Sequence, residues 1–139
     1  MSARLSGRMK NARIILSVAA AFLVSACSTG PFAPKAGEID HIVLAWLKKP
    51  GDKADQAKVI AASKELKAGI KEVQTLSVGC ALPSDRAVVD DSFDVALVMR
   101  FKNAADLATY EKHPVHVKAV TEVLKPLTKQ IRVHDLVRE

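Results

Sequence analysis

The sequence predicts an α+β fold, with one four-stranded antiparallel sheet and its helices on one face. Three observations predict it. Runs rich in β-branched and apolar residues occur at 39–47, 75–81, 92–101 and 129–137. Between the first and second runs, and between the third and fourth, apolar residues recur every three or four positions, which is the helical period. Proline, glycine and aspartate punctuate the boundaries.

The first strand, 39–47, is apolar on both faces and ends at Pro50 and Gly51. Asp52 or Asp55 is then available to cap a helix. That helix carries Val59, Ala62, Leu66, Ile70 and Val73 on one stripe, with Lys64, Lys67 and Lys71 on a solvated face. The second strand is 75–81, and Pro83-Ser84-Asp85-Arg86 supplies a turn. The third strand, 92–101, places Phe93, Val95, Leu97, Met99 and Phe101 on one face. Asn103 is placed to cap a short helix to Glu111. His113-Pro114 breaks that helix, because the residue before proline avoids helical dihedrals. Pro114 suits the first turn of a second helix, striped by Val117, Val120, Leu124 and Leu127. The last strand is 129–137.

This strand–helix–strand–strand–helix–strand order is the ferredoxin-like βαββαβ arrangement. The apolar row from Phe93 to Phe101 calls for cover on the sheet's free face. Two copies packed face to face would provide it, so the expectation is a homodimer closed as an α+β barrel.

The N-terminal segment is a different kind of sequence. Arg4, Arg8, Lys10 and Arg13 precede a short apolar core, 14–24, and then small residues. That layout is a signal peptide, too short to span a bilayer comfortably. Val24-Ser25-Ala26-Cys27 resembles a bacterial lipobox, in which the cysteine is diacylated on sulfur and the preceding peptide removed. The resemblance implies domains at 1–26 (signal), 27–38 (lipidated Cys27 and tether, with Gly30, Pro31, Pro34 and Gly37) and 39–139. It also implies a membrane-lipid partner. Ser28 after the cysteine implies the outer membrane, facing the periplasm of a bacterial envelope.

Removing residues 1–26 takes four of the 21 basic residues and no acidic one, leaving 17 against 15, a balance of +2. The mature chain therefore has no basic footprint for nucleic acid. Cys80 is left without a disulfide partner and reads as a small buried hydrophobe in a strand.

Candidate site residues cluster late in the chain. His116 falls in the first turn of the second long helix, placed to hydrogen-bond Tyr110 and to act as a general base near neutral pH. His113 caps the helix break or faces solvent. His41, in an apolar strand, needs a polar partner, and Asp94 on a neighbouring strand would serve. His41, Asp94 and His113 are the candidate ligand-binding residues. No spacing of Cys, His and Asp supports a metal site, and no cofactor motif occurs.

Tyr110-Glu111-Lys112-His113-Pro114-Val115-His116, together with His41-Ile42-Val43 and Val133-His134-Asp135, resembles the stress-responsive dimeric α/β-barrel (Dabb) family. The resemblance covers 39–137 and implies the same fold and the dimer. Most members imply a stress-associated role without an assigned reaction. One plant branch closes a polyketide ring by an aldol-type condensation, in a cavity between sheet and helices. That branch implies catalytic roles at the positions of Tyr110 and His116, with His41 nearby. Its further histidine falls in the third strand, where this chain has Asp94. The expectation is a membrane-anchored, non-enzymatic dimer that is stress-associated or binds a small apolar ligand. The alternative is an enzyme acting on a small carbonyl or polyketide-like substrate through Tyr110 and His116.

Overall fold

The computed structural model describes residues 35–139. The expected signal peptide, Cys27 and the tether up to residue 34 lie outside the described residues. The element order is β1 (Ile39–Leu47), α1 (Lys53–Gly69), β2 (Thr75–Cys80), β3 (Val95–Phe101), α2 (Ala104–Lys112), α3 (Pro114–Ala119), a π-helical stretch (Val120–Leu124), α4 (Lys125–Leu127) and β4 (Thr128–Val137). The sheet order is β2-β3-β1-β4, antiparallel throughout. This is the ferredoxin-like α+β fold.

The local signals act as their chemistry requires. Asp52 caps α1, its carboxylate accepting from the Asp55 N–H at 2.9 Å. Asn103 caps α2 in the same way, accepting from the Asp106 N–H. His113 is extended (φ −66°, ψ 135°), and its Nδ1 accepts from the Val115 N–H. It therefore ends α2 and starts α3, with Pro114 in the first turn. The long helix beyond Pro114 is not uniformly α. Its ladder widens to π over Val120–Leu124 and then tightens again. The third strand is shorter than its apolar run predicts: Ser92, Phe93 and Asp94 precede it as irregular chain.

Strand pairing decides which residues share a face. Ile39, His41, Val43 and Ala45 of β1 sit opposite Phe101, Met99, Leu97 and Val95 of β3. That row lies beneath the helices, and Phe101, Met99 and Val95 are fully buried. The core there is completed by Leu66, Ile70, Val73 and Tyr110. The expectation that the row from Phe93 to Phe101 forms the uncovered face is therefore corrected. The free face carries the residues of opposite parity: Ile42, Leu44 and Trp46 of β1, Ala96 and Val98 of β3, and Leu136 of β4. Val98 and Leu136 are exposed there. At one end of this face, Arg100 and Arg138 flank the buried Asp40. Burial alone would raise the Asp40 pKa, but the two guanidinium groups outweigh it and hold the carboxyl below its ordinary value.

Two further expectations change. Cys80 is exposed rather than buried, because it ends the edge strand β2. The tether also stops short of Glu38. Gly37, at φ +83°, turns the chain so that Gly37 N–H donates to the Arg138 carbonyl, and Arg138 N–H donates to the Glu38 carbonyl, each at 2.9 Å. The packed domain thus begins beside the end of β4. No helix among the described residues is long and apolar enough to cross a membrane.

Candidate functional site

The site lies between the sheet and the second helical layer, and each element contributes one polar group to it. From β1, His41 points under the helices and is buried. Its cross-strand neighbour on β4 is Asp135. His41 Nδ1–H donates to the Asp135 carboxylate at 2.6 Å, which fixes the tautomer and leaves Nε2 as the second ring nitrogen. The ring stands edge-on to Phe101 and to Tyr110, with centroids 6.1 and 5.7 Å away.

Tyr110 occupies the last turn of α2 and is 2% exposed. Its ring packs on Phe101 at 4.9 Å and on His116 at 4.4 Å. Burial, reinforced by the charge of Glu111, pushes its pKa well above the ordinary phenol value. The hydroxyl is therefore a proton-bearing donor at any physiological pH.

The α2–α3 break swings His116 back over α2. Its Nδ1–H donates to the Glu111 carbonyl at 2.8 Å. Burial lowers the His116 pKa, and the nearby histidines 41 and 113 add to that; the Glu111 carbonyl opposes it. The ring is thus neutral near pH 7, with its lone pair on Nε2. No hydrogen bond joins His116 to Tyr110 among the described residues. The expected pairing is replaced by a tilted ring contact, the two planes inclined by 45°.

Beside these rings lies a cavity of about 360 Å³. Val43, Leu97 and Val133 form its floor on the sheet, and Leu66, Val120 and Leu124 form its walls. The π-helical stretch supplies two of those wall residues, where such widened turns recur at functional sites. The Tyr110 hydroxyl, His41 Nε2 and His116 Nε2 have no hydrogen-bond partner among the described residues. The only described side-chain polar atom both sealed from solvent and unpartnered is Arg138 Nε. The three site atoms consequently meet open space, and all three residues line this cavity.

The structure brings together Tyr110, His116 and His41, and separates Asp94 and His113 from them. Asp94 is not the partner of His41. It sits at the far end of the sheet, accepting from the N–H groups of Leu47 at 2.7 Å and Gly51 at 2.6 Å. It holds the β1–α1 turn instead. His113 is spent on its cap and lines a shallow surface hollow with Thr109 and Lys112. Asp135, the true partner of His41, carries no signal of that role in the sequence. Nothing in a linear pattern links positions 41 and 135 until the β1–β4 register is known. Among the described residues no cluster of three His, Cys, Asp or Glu side chains is placed to hold a metal ion.

Comparison with known proteins agrees with this fold. Residues 39–138 match the model of the Stress responsive A/B Barrel Domain, abbreviated Dabb. The chain is 31% identical over 106 residues to a stress-response A/B barrel domain-containing protein of Arabidopsis thaliana, covering 76% of this chain and 39% of that protein. The chain thus spans about two-fifths of that relative. Among solved structures it resembles a dimeric protein of unknown function with a ferredoxin-like fold from Bacteroides fragilis. That match has TM-score 0.57 and 25% identity, and covers 73% of this chain and 96% of that one. A Dabb family protein from Mesorhizobium loti matches with TM-score 0.61 and 22% identity over 74% and 98% of the two chains. A hydroxynitrile lyase from Passiflora edulis matches with TM-score 0.64 and 22% identity over 76% and 96%.

Proposed function

The chain belongs to the stress-responsive A/B barrel domain family, and we propose that it binds a small, largely apolar molecule beside Tyr110 while held on the bacterial envelope through Cys27. One observation carries the ligand reading. Tyr110, His41 and His116, each with an unpartnered polar atom, line one largely apolar cavity of about 360 Å³. Binding sites for small molecules have this composition and fall in the range of about 300–1,000 Å³. A ligand with one carbonyl or hydroxyl oxygen would accept from the Tyr110 hydroxyl or donate to a histidine Nε2. The rest of it would lie against Leu66, Val120 and Leu124.

The reading includes a homodimer. Ile42, Leu44, Val98 and Leu136 leave an apolar stripe on the free face of the sheet, and a second sheet would cover it. The Bacteroides fragilis neighbour is described as dimeric, which supports the same arrangement. The lipobox-like Val24-Ser25-Ala26-Cys27 supports anchoring, and Ser28 after it supports the outer membrane, facing the periplasm.

Titration of the protein with small aromatic aldehydes and alcohols, followed by calorimetry, tests the ligand reading. Saturable binding that weakens about fivefold in Tyr110→Phe is expected, as one lost hydrogen bond of about 1 kcal/mol predicts. Equal affinity for wild type and Tyr110→Phe would remove the site.

A second reading is an enzyme that moves a proton on a bound carbonyl compound. It rests on the neutral His116 ring, which lines the cavity beside Tyr110 with Nε2 as its free nitrogen. Tyr110 would polarise the carbonyl and His116 Nε2 would take the adjacent proton. His116→Ala should then abolish turnover of such a compound while leaving its binding nearly intact. Unchanged turnover would exclude this role.

A further inference from the structure

The cavity is not closed on the side of β4. This edge strand faces the helices with Ile131, Val133, Asp135 and Val137, yet no helix lies over the row. Val133 and Val137 remain 48% and 58% exposed. Across the opening, Val117 is 47% exposed, and Val120 is only half-buried. Branched apolar side chains thus form both lips of the entrance, and Val120, Ile131 and Val133 also line its interior. Isolated exposed valines need no explanation, but a mostly apolar rim, interrupted only by the Asp135 carboxylate that His41 holds, around an apolar cavity does.

The second observation is where the chain enters the domain. Gly37 and Glu38 are hydrogen-bonded to Arg138, one residue beyond Val137. Lys35 is therefore delivered to the same end of the sheet as the His41–Asp135 pair. Cys27 stands eight residues before Lys35, a reach of about 29 Å at full extension. A domain tethered by so short a lead keeps that end of the sheet near the lipid surface. The opposite end, with the exposed Cys80 and the irregular chain after it, points away along the strands.

We propose that the lips of the cavity, Val117 and Val120 on one side and Ile131, Val133 and Val137 on the other, seat on the lipid surface that carries the anchor. The cavity then takes its ligand from the bilayer: an amphiphile with an apolar chain and one oxygen-bearing group. The apolar chain passes between the valines without crossing water, and its polar end meets Tyr110, His41 and His116. This inference rests on the anchored, ligand-binding reading above and adds to it an interaction surface and a ligand class.

The test uses the full chain, matured and acylated, in vesicles of phosphatidylethanolamine and phosphatidylglycerol. An environment-sensitive fluorophore is placed on Val133→Cys in a Cys80→Ser background, and separately on native Cys80 as the distal control. Vesicle flotation reports the anchor. Quenching by lipids spin-labelled in their acyl chains reports the lips. The expected result is flotation of both proteins, with the label at 133 quenched at least about threefold more than the label at 80. A label on Val117→Cys, in the same Cys80→Ser background, should repeat the result from the opposite lip. Flotation with equal, weak quenching at all positions overturns the lip contact and leaves the anchor standing. Failure to float removes the anchor and overturns the inference through its premise. A label at 133 already shielded in the unacylated protein, with neither detergent nor vesicle present, places a second copy on the lips and also overturns it.

Discussion

Two strands of one sheet present apolar rows to the same side and meet different fates. On β3, Val95, Leu97, Met99 and Phe101 are at most 3% exposed beneath the helices. On β4, two strands away, Val133 and Val137 face the same side and stay about half exposed, and Ile131 is only partly buried. Apart from Asp135, which His41 holds, the β4 row is as branched and apolar as the β3 row, so hydrophobicity alone does not separate them. Coverage does. The helical layer spans β2, β3 and β1 and leaves β4 open, and the cavity runs from Leu97 and Val43 out to this uncovered quarter at Ile131 and Val133. The packed row provides stability, and the open row leaves room for a ligand.

The largest effect that would break this contrast is expected from Phe101→Ala. The ring is fully buried and braces Tyr110 at 4.9 Å, so its loss should cost about 3–5 kcal/mol in denaturant unfolding. Val133→Ala on the open row should cost under about 1 kcal/mol, because little apolar area is buried there to lose. Similar costs for the two would mean that β4 is covered after all. Next comes Asp94→Ala, which strips the acceptor from the Leu47 and Gly51 N–H groups. It should cost about 2 kcal/mol and leave ligand affinity unchanged. A loss of affinity equal to that of Tyr110→Phe would return Asp94 to the site.

A smaller effect concerns pH. The folded-state pKa of His116 is lowered by burial, so the unfolded chain binds the proton more readily. Stability should therefore rise with pH between that lowered value and about 6.5, and flatten above it. Denaturant midpoints measured between about pH 5 and about pH 7.5 should show a slope that is reduced in His116→Gln. An identical slope in both proteins would mean that the ring is solvated.

Much of the fold is legible in the sequence because it rests on local patterns. The Val59–Leu66–Val73 stripe, the Asp52 and Asn103 caps and the His113-Pro114 break each act within a few residues. What escapes depends on register between distant segments. Alternation shows that the sheet has two faces but not which one the helices cover, so the apolar row of β3 points to the wrong free face. Asp94 looks like the partner of His41 because β1 and β3 are neighbours. Yet Asp94 precedes Val95, which pairs with Ala45, four residues from His41. Asp135 lies directly across from His41 on the other flank of β1. Cys80 reads as buried only if it lies in a strand interior, and the strand ends there. The Tyr110 and His116 positions are visible through the motif, but their tilted ring contact, and the Glu111 carbonyl that orients His116, require the backbone turn.

The central claim is that the open quarter of the sheet holds a ligand site organised by Tyr110. Calorimetric titration of wild type, Tyr110→Phe and Val98→Ala with one cavity-sized aromatic aldehyde tests it most directly. The account predicts one binding site per chain, weakened about fivefold by Tyr110→Phe and unaffected by Val98→Ala on the opposite face. Binding that survives Tyr110→Phe unchanged but falls in Val98→Ala would place the ligand on the free face and contradict it.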